Sequence, residues 1–281
     1  SEAGSLILQA TIGCSYNRCT FCAMYRDVKF RIRKLDELAE DIAMARATLG
    51  QGVRRVFLAD GDAMTLSFRR LEEIMQSIRR HLPDVQRVSS YCLPRNLRNK
   101  TVEELAALRE LGLDLFYVGC ESGDDLVLER VNKGETFDSS LEALRKIKAA
   151  GARSSVMILN GMGGRRYSEQ HAVNSARLMN EAQPKYLATL VVSFPLGVDR
   201  YQQGFGGEFE PLDQPGLFRE MEALLSTLEL DNTIFRSDHA SNYLVLRGVL
   251  DRDKPRLLDM VRTAIRQPER MPLRQEWQRG L

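Results

Sequence analysis

Short apolar runs alternate with segments of helical periodicity along most of this chain. Runs of four to seven residues that are rich in branched, aliphatic and aromatic side chains predict β-strands. Between these runs, apolar residues recur three and four positions apart, which is typical of amphipathic helices. Six strands are predicted in this way: Ser5–Ala10, Arg55–Ala59, Val88–Tyr91, Leu115–Val118, Ser155–Leu159 and Tyr186–Val192.

The helical segments carry start and stop signals. Gly50 is a candidate C-cap for the first helix, and Pro83 ends the second. The stretch Thr101–Glu104 has the sequence of a capping box, in which the side chains at its two ends satisfy each other's backbone N–H groups. The predicted helices cover residues 35–49, 68–82, 101–112, 139–150, 169–182, 216–230 and 253–266.

This order of elements predicts an α/β fold with about six βα repeats and right-handed crossovers. No low-complexity linker divides the chain, so we expect one domain. Its core would be residues 1–195, and residues 196–281 would be a C-terminal extension that packs on this core. Residues 198–216 are predicted to form a long loop, and the tail from Gln267 is predicted to pack poorly.

The composition excludes several classes of protein. The 281 residues are 43% hydrophobic and 28% charged, with a net charge of +2, which gives no field that would select nucleic acid or an anionic membrane. No apolar run approaches the roughly 20 residues of a membrane span. Residues 1–4 do not resemble a signal peptide, and we expect a cytoplasmic protein. In a reducing compartment, its five cysteines are expected to be ligands or reactive thiols in preference to disulfides.

Chemically unusual residues follow five of the predicted strands. In parallel βα folds, functional residues gather at the carboxyl ends of the strands. We therefore expect these clusters to lie along one rim of the fold. They are the cysteine loop 14–22, Asp60-Gly61-Asp62, Cys92, Gly119-Cys120-Glu121-Ser122-Gly123, and Asn160-Gly161-Met162-Gly163-Gly164.

The cysteine loop is the most specific of these clusters. Cys14, Cys19 and Cys22 follow the first strand with the spacing C-x4-C-x2-C. Three thiolates on one loop can ligate three irons of a cubane cluster, which leaves the fourth iron open to a substrate or cofactor. A structural zinc site is the alternative, but zinc prefers four ligands and this loop supplies only three. An iron–sulfur electron carrier would likewise need a fourth cysteine.

On these motifs the chain resembles the radical S-adenosylmethionine (SAM) superfamily. The resemblance covers roughly residues 5–195 and includes Phe21, the aromatic residue before the last cysteine. The usual family spacing is C-x3-C-x2-C, so this loop is one residue longer. The resemblance implies a partial (β/α)6 barrel with a C-terminal helical extension. It also implies a [4Fe-4S] cluster, SAM, a small-molecule substrate, and an electron donor of the flavodoxin or ferredoxin type.

The resemblance also assigns roles to individual residues. Cys14, Cys19 and Cys22 would ligate the cluster, whose open iron SAM would chelate. The family's Gly-Gly-Glu motif holds the SAM amino group and is matched imperfectly by Asp60, Gly61 and Asp62. Further SAM contacts would come from Glu121 and Ser122 for the ribose and methionyl part, Arg130 and Lys133 on the following helix for the carboxylate, and Asn160 and Gly161 for adenine.

Cys92 and Cys120 are not needed for a cluster. Free cysteines are often small core residues, which is one interpretation. The other is a pair of thiols that faces the barrel lumen beside Arg95 and Glu121 and binds a soft centre such as trivalent arsenic. In this respect the chain resembles a radical SAM enzyme of arsinothricin biosynthesis, which implies transfer of the 3-amino-3-carboxypropyl group of SAM to arsenite. A 5′-deoxyadenosyl-radical enzyme for another small molecule, or an RNA-modifying enzyme, remains the alternative.

Overall fold

The computed structural model describes residues 2–50, 52–195 and 197–280 and has a mixed α/β fold with mostly parallel strands. The strands are β1 Leu6–Gln9, β2 Thr11–Ile12, β3 Arg31–Ile32, β4 Arg55–Ala59, β5 Arg87–Cys92, β6 Leu113–Glu121, β7 Arg153–Asn160, β8 Tyr186–Val191, β9 Thr233–Ser237 and β10 Leu246–Leu250. The α-helices are α1 Leu35–Leu49, α2 Phe68–His81, α3 Val102–Glu110, α4 Asp125–Arg130, α5 Phe137–Ala149, α6 Gly164–Ala182, α7 Asp199–Gly204, α8 Gln214–Thr227 and α9 Lys254–Arg266. All six predicted strands are present.

The chain forms two compact units. The first unit contains Ser1–Asn17, Met24–Gly119 and Glu142–Ser154. Its sheet has the strand order β1-β4-β5-β6, and all of these pairs are parallel. The short strands β2 and β3 form a separate antiparallel pair. Because both faces of a parallel sheet are covered, its central strands are almost continuously buried, as in β4.

Local sequence accounts for the helices of the first unit. In α2, Ser67 caps the first turn by accepting a hydrogen bond from the backbone N–H of Arg70, and the helix buries Leu71, Ile74 and Ile78. At α3, Thr101 and Glu104 form the predicted capping box: the Thr101 hydroxyl accepts from the Glu104 N–H at 3.2 Å, and the Glu104 carboxylate accepts from the Thr101 N–H at 2.9 Å. The predicted position of this cap is therefore confirmed.

The second unit contains Arg18–Ala23, Cys120–Leu141 and Ser155–Leu281. In it β7, β8 and β9 are parallel neighbours, and β10 pairs with β9 in the antiparallel direction. The sequence did not predict β9 or β10. In β9 the buried positions are Thr233, Phe235 and Ser237, so two of the three inward residues are polar and no apolar alternation is visible.

The loop predicted for residues 198–216 contains the short helix α7. Its Tyr201 is fully buried against Phe205 and Phe209, with the ring of Tyr201 stacked on that of Phe205 at 5.1 Å. The Tyr201 hydroxyl donates a hydrogen bond to the Met162 carbonyl oxygen at 2.5 Å. The prediction of a long loop missed this helix, because three aromatic side chains fold the segment onto a local core that short-range periodicity does not reveal.

The prediction that the C-terminal tail packs poorly was also wrong. Arg274 donates hydrogen bonds to the carbonyl oxygens of His239 and Asn242 at 2.7 and 2.8 Å. The guanidinium of Arg279 lies over the ring of Tyr243, 3.9 Å from its centroid. Arginine side chains thus attach this polar segment to the fold through backbone carbonyls and an aromatic face. A hydrophobicity pattern cannot predict contacts of this kind.

No helix in the part of the chain that the structure describes is both long enough and apolar enough to span a membrane.

Candidate functional site

The turns after β4, β6 and β7 each place a residue in the left-handed backbone region. These residues are Asp60 at φ 62°, Glu121 at φ 66° and Gly161 at φ 83°. For residues other than glycine this conformation is costly, and it persists where the surrounding structure requires it. Asp60 therefore adopts a backbone conformation that glycine favours. All three turns belong to the clusters that the sequence predicted for the rim.

In the first unit, the turn after β4 lies directly against the backbone that enters the cysteine loop. A Cβ atom on Gly61 would lie 1.8 Å from the carbonyl oxygen of Gly13 and 2.7 Å from the backbone nitrogen of Cys14. The Gly61 N–H donates a hydrogen bond to the Tyr25 hydroxyl at 2.8 Å. Only glycine permits this approach, so the turn fixes the backbone at Cys14.

Asp62 is a buried carboxylate beside the same loop. Ser15 donates a hydrogen bond to its Oδ2 atom, and burial raises the pKa of the Asp62 carboxyl. Its Oδ1 atom is buried and accepts no hydrogen bond from the described residues. A buried acceptor without a donor is costly, so this atom suits a donor group of a bound molecule.

Arg95 also lies at the cysteine loop. It belongs to a short 3-10 helix, Pro94–Leu97, that follows β5, and its guanidinium lies 3.7 Å from the ring centroid of Tyr16 in the loop. Cys92, at the end of β5, is 3% exposed, and its thiol donates to the Leu93 carbonyl oxygen. The structure therefore brings Arg95 to the cysteine loop and leaves Cys92 buried.

In the second unit, the part of the loop with the other two cysteines is attached to the end of α4. The Thr20 N–H and hydroxyl both donate to the Val131 carbonyl oxygen, at 2.9 and 3.3 Å. The Cys22 N–H donates to the Cys19 carbonyl oxygen at 3.3 Å, which closes one turn of backbone between the two cysteines. Both cysteines are half-buried, and neither forms a disulfide.

Lys133 and Glu121 form a buried ion pair next to these cysteines. The Lys133 Nζ atom lies 3.2 Å from the Glu121 Oε1 atom, and the two side chains are 4% and 10% exposed. Burial opposes the charge on Lys133, but attraction to Glu121 and then to Cys19 outweighs this cost and raises the pKa of the ammonium. Lys133 also lies over the Phe21 ring, 5.7 Å from its centroid.

The predicted placement of Arg130 and Lys133 together on one helix was wrong. α4 ends at Arg130, and Lys133 follows it in a turn in which its N–H donates to the Leu128 carbonyl oxygen at 2.9 Å. The side chains separate: Lys133 is buried with Glu121, whereas Arg130 donates to the Gly204 carbonyl oxygen at 3.4 Å and lines an open cleft. The sequence pattern does not show that α4 has only six residues and ends before Lys133.

Cys120 is fully buried, and burial raises the pKa of its thiol to about 12. Alternation along β6 places Cys120 on the face of Phe116 and Val118, both fully buried. The opposite face of the strand carries Tyr117 and Glu121. Cys120 is therefore a neutral thiol on the strand face that does not carry Glu121.

Behind the turn at Gly161 lies a polar network that the sequence did not reveal. The Glu220 carboxylate accepts hydrogen bonds from the Gly161 N–H at 2.6 Å and from the Ser168 hydroxyl at 2.7 Å. The His171 Nε2 atom lies 3.9 Å from Glu220 and donates to the Leu159 carbonyl oxygen at 3.0 Å. Burial raises the pKa of the Glu220 carboxyl.

The network continues from His171 to Ser122. The His171 Nδ1 atom is 2.7 Å from the Ser122 hydroxyl, which also accepts from the Asp124 N–H at 3.0 Å. The turns after β6 and β7 are thus connected through one histidine. A signal for Glu220 was present in the sequence, because it is a charged residue within the apolar stripe that Leu217 and Leu224 mark on α8.

The side chains of the cysteine loop suit an iron–sulfur cluster by their chemistry. Three half-buried cysteines outside any disulfide lie on the loop, and the cation of Lys133 is placed to stabilise negative charge at Cys19. Within the described residues, no group of three or more His, Cys, Asp or Glu side chains is arranged to hold a metal ion as it stands. The donor set fits the cluster, and the structure shows no ligation geometry.

A cofactor-binding α/β enzyme is the class expected from three features: parallel strands, strained backbone at their carboxyl ends, and a three-cysteine loop after the first strand. The model of the radical SAM superfamily matches residues 8–179. The chain belongs to this superfamily. The predicted family and enzyme class are confirmed, and the family implies SAM and an iron–sulfur cluster.

Two curated proteins are similar over part of their length. The 4'-phospho-dehydrooxetanocin synthase of Priestia megaterium is 26% identical over 166 residues, which is 53% of this chain and 22% of that protein. The heme chaperone HemW of Bacillus subtilis (strain 168) is 26% identical over 163 residues, 56% of this chain and 42% of that protein. The chain thus spans less than half the length of either relative.

Solved radical SAM structures share the fold. Coproporphyrinogen III oxidase (HemN) from Escherichia coli matches with a TM-score of 0.62 and 19% identity, over 79% of this chain and 52% of that chain. Methylornithine synthase (PylB) matches with a TM-score of 0.54 and 18% identity, over 80% and 63%. The predicted α/β fold of the radical SAM type is confirmed, with two strands in the extension that was expected to be helical.

Proposed function

We propose that this chain binds a [4Fe-4S] cluster and SAM and cleaves SAM reductively to act on a small molecule. The observation that carries the proposal is the buried Lys133–Glu121 pair beside Cys19. A buried ion pair contributes little to stability compared with apolar residues of similar size, so its position beside a predicted ligand favours a functional role.

Cys14, Cys19 and Cys22 would hold the cluster. A bound cluster would supply the single electron that reductive cleavage of a carbon–sulfur bond of the SAM sulfonium requires. Lys133, which pairs with Glu121, would stabilise negative charge on the Cys19 sulfur. The turn at Gly61 would keep the backbone of Cys14 in a fixed position.

The turns at the strand ends would bind SAM. Asp60 and Gly61 would receive its amino group at their backbone, and the unpartnered Oδ1 atom of Asp62 would accept a further hydrogen bond. Glu121 and Ser122 would contact the ribose and methionyl part. Asn160 and Gly161 would lie against adenine in the family's manner. Arg130 has less support as a ligand of the SAM carboxylate, because it lines a cleft to which Glu121, Ser122 and Lys133 do not contribute.

Transfer of the 3-amino-3-carboxypropyl group to arsenite has less support from the structure than from the sequence. Arsenic binding requires thiolates that the substrate can reach. Cys92 is buried, and Cys120 is fully buried with a thiol pKa of about 12. These environments favour the interpretation as core residues. None of the five described cysteines is in a disulfide, which supports the proposal of a reducing compartment such as the cytoplasm.

The proposal is tested by product analysis after anaerobic reconstitution with iron and sulfide. With dithionite as the electron source, we expect methionine and 5′-deoxyadenosine to form from SAM, and Cys19→Ser to abolish both. Methylthioadenosine in place of 5′-deoxyadenosine, formed only with arsenite present, would favour the arsenite hypothesis instead. A loaded, folded protein that leaves SAM intact would contradict the proposal.

A further inference from the structure

A cleft of about 640 Å³ lies in the second unit beside the cysteine loop. Its walls come from the loop itself, from α4 and from α7. Three arginines line it, Arg18, Arg130 and Arg200, against one acidic side chain, Glu129. Positive side chains therefore outnumber negative ones in the lining of the cleft.

Backbone carbonyl oxygens position two of these arginines, Arg130 and Arg200. Arg200 donates to the Arg18 carbonyl oxygen at 3.3 Å, and Arg130 donates to the Gly204 carbonyl oxygen at 3.4 Å. Among the ion pairs of the described residues, none involves Arg130 or Arg200. A carbonyl oxygen orients a guanidinium but does not neutralise it, and each guanidinium keeps further donors for an anionic group.

The residues on both sides of a predicted cluster ligand line the cleft. Arg18 directly precedes Cys19 and Thr20 directly follows it, and both residues line the cleft. A molecule bound here would therefore lie against the loop that holds Cys19. The proposed reaction needs one electron from outside the chain, and this electron has to arrive at that loop.

A small anion such as phosphate fits the cleft less well than a protein surface does. Sites for small anions usually present several backbone N–H groups to the ligand. Here the Thr20 N–H is already bonded to the Val131 carbonyl oxygen, and the charges stand on long arginine side chains. Arg18 and Glu129 are exposed, so the cleft is open to solvent and can receive a convex acidic surface.

We propose that this arginine cleft is the docking surface for the acidic face of a protein electron donor of the flavodoxin type. The proposal rests on the function proposed above. The flavin hydroquinone of the donor loses one electron and becomes the semiquinone, and the oxidised cluster gains that electron. Charge complementarity would orient the donor and accelerate its association, and salt would weaken the complex.

The test measures binding of a bacterial flavodoxin to the cluster-loaded protein, with Arg200→Glu as the variant. Arg69→Glu is the matched control, because Arg69 is an 88% exposed arginine on α2 that does not line the cleft. We expect Arg200→Glu to raise the dissociation constant about tenfold at low salt and Arg69→Glu to leave it nearly unchanged. The difference should shrink between about 30 mM and about 300 mM salt.

Equal affinities of Arg200→Glu and the unchanged protein at low salt would overturn the proposal. Competition by inorganic phosphate, beyond that of sodium chloride at the same ionic strength, would show a small-anion site and would also overturn it. If Arg200→Glu does not fold, Arg200→Gln serves in its place with a smaller expected loss. SAM cleavage driven by dithionite, which needs no docking, should be the same in all variants, and its absence in the unchanged protein would refute the proposed function alone.

Discussion

The buried pair of Lys133 and Glu121 should show strong energetic coupling. Replacing one member, by Lys133→Met or Glu121→Gln, leaves the other buried without its partner. The side chains are 4% and 10% exposed and 3.2 Å apart, so little water can compensate. Each single variant should lower the free energy of unfolding by about 3–5 kcal/mol.

The double variant should lose much less than the sum of the two single losses, because it leaves no unpaired charge. A coupling energy of about 2 kcal/mol is expected. Urea unfolding of the cluster-free protein, followed by circular dichroism, measures all four stabilities. Lys146 and Glu142 on α5 are a matched control pair, 3.0 Å apart with a Glu142 side chain that is 62% exposed. Their coupling should be about 0.3–0.5 kcal/mol.

Equal coupling energies for the two pairs would contradict this prediction, since the Lys133–Glu121 pair would then behave as a surface pair. A second readout separates function from stability. In the single variant Lys133→Met, the Cys19 thiol loses its neighbouring cation, so its reaction with iodoacetamide near pH 8 should become slower. A purely structural role for Lys133 would leave that rate unchanged in the folded protein.

Three further results are expected. Gly61→Ala should destabilise the protein far more than Gly50→Ala, since both have positive φ but only the first meets backbone, at 1.8 Å; equal losses in urea unfolding would contradict this. Because burial raises the Glu220 pKa above 4.5, the unfolding free energy should fall as pH rises through and above that value; Glu220→Gln should flatten this slope and Glu222→Gln should not. In the native protein at about pH 8, iodoacetamide should modify the loop cysteines and spare Cys120, whose thiol pKa is about 12; peptide mapping that finds Cys120 labelled as fast would oppose the assignment.

Much of the fold follows from the sequence because strands and helices of the parallel repeat leave strong local patterns. The predicted strand Arg55–Ala59 coincides with β4, and the second predicted helix ends just before Pro83 as expected. β9 was missed because Thr233 and Ser237 are buried in it although they are polar. Their burial depends on strands distant in sequence, which no short window contains.

The candidate site, like the fold, is only partly predictable from the sequence. The cysteine loop and the turns at Asp60, Glu121 and Gly161 are visible in the sequence, because each combines unusual residues with a strand end. The separation of Arg130 from Lys133 is not visible, because it depends on where α4 stops. The role of Glu220 is hidden for another reason: its partner Gly161 is 59 residues away.

The central claim is that three cysteines hold a cluster whose remaining iron binds SAM. It is tested most directly by electron paramagnetic resonance of the reconstituted, dithionite-reduced protein with and without SAM. The expected result is the spectrum of a reduced [4Fe-4S] cluster that changes when SAM is added, and no such signal from Cys14→Ser, Cys19→Ser or Cys22→Ser. A cluster spectrum that SAM leaves unchanged, or one that survives these substitutions, would contradict it.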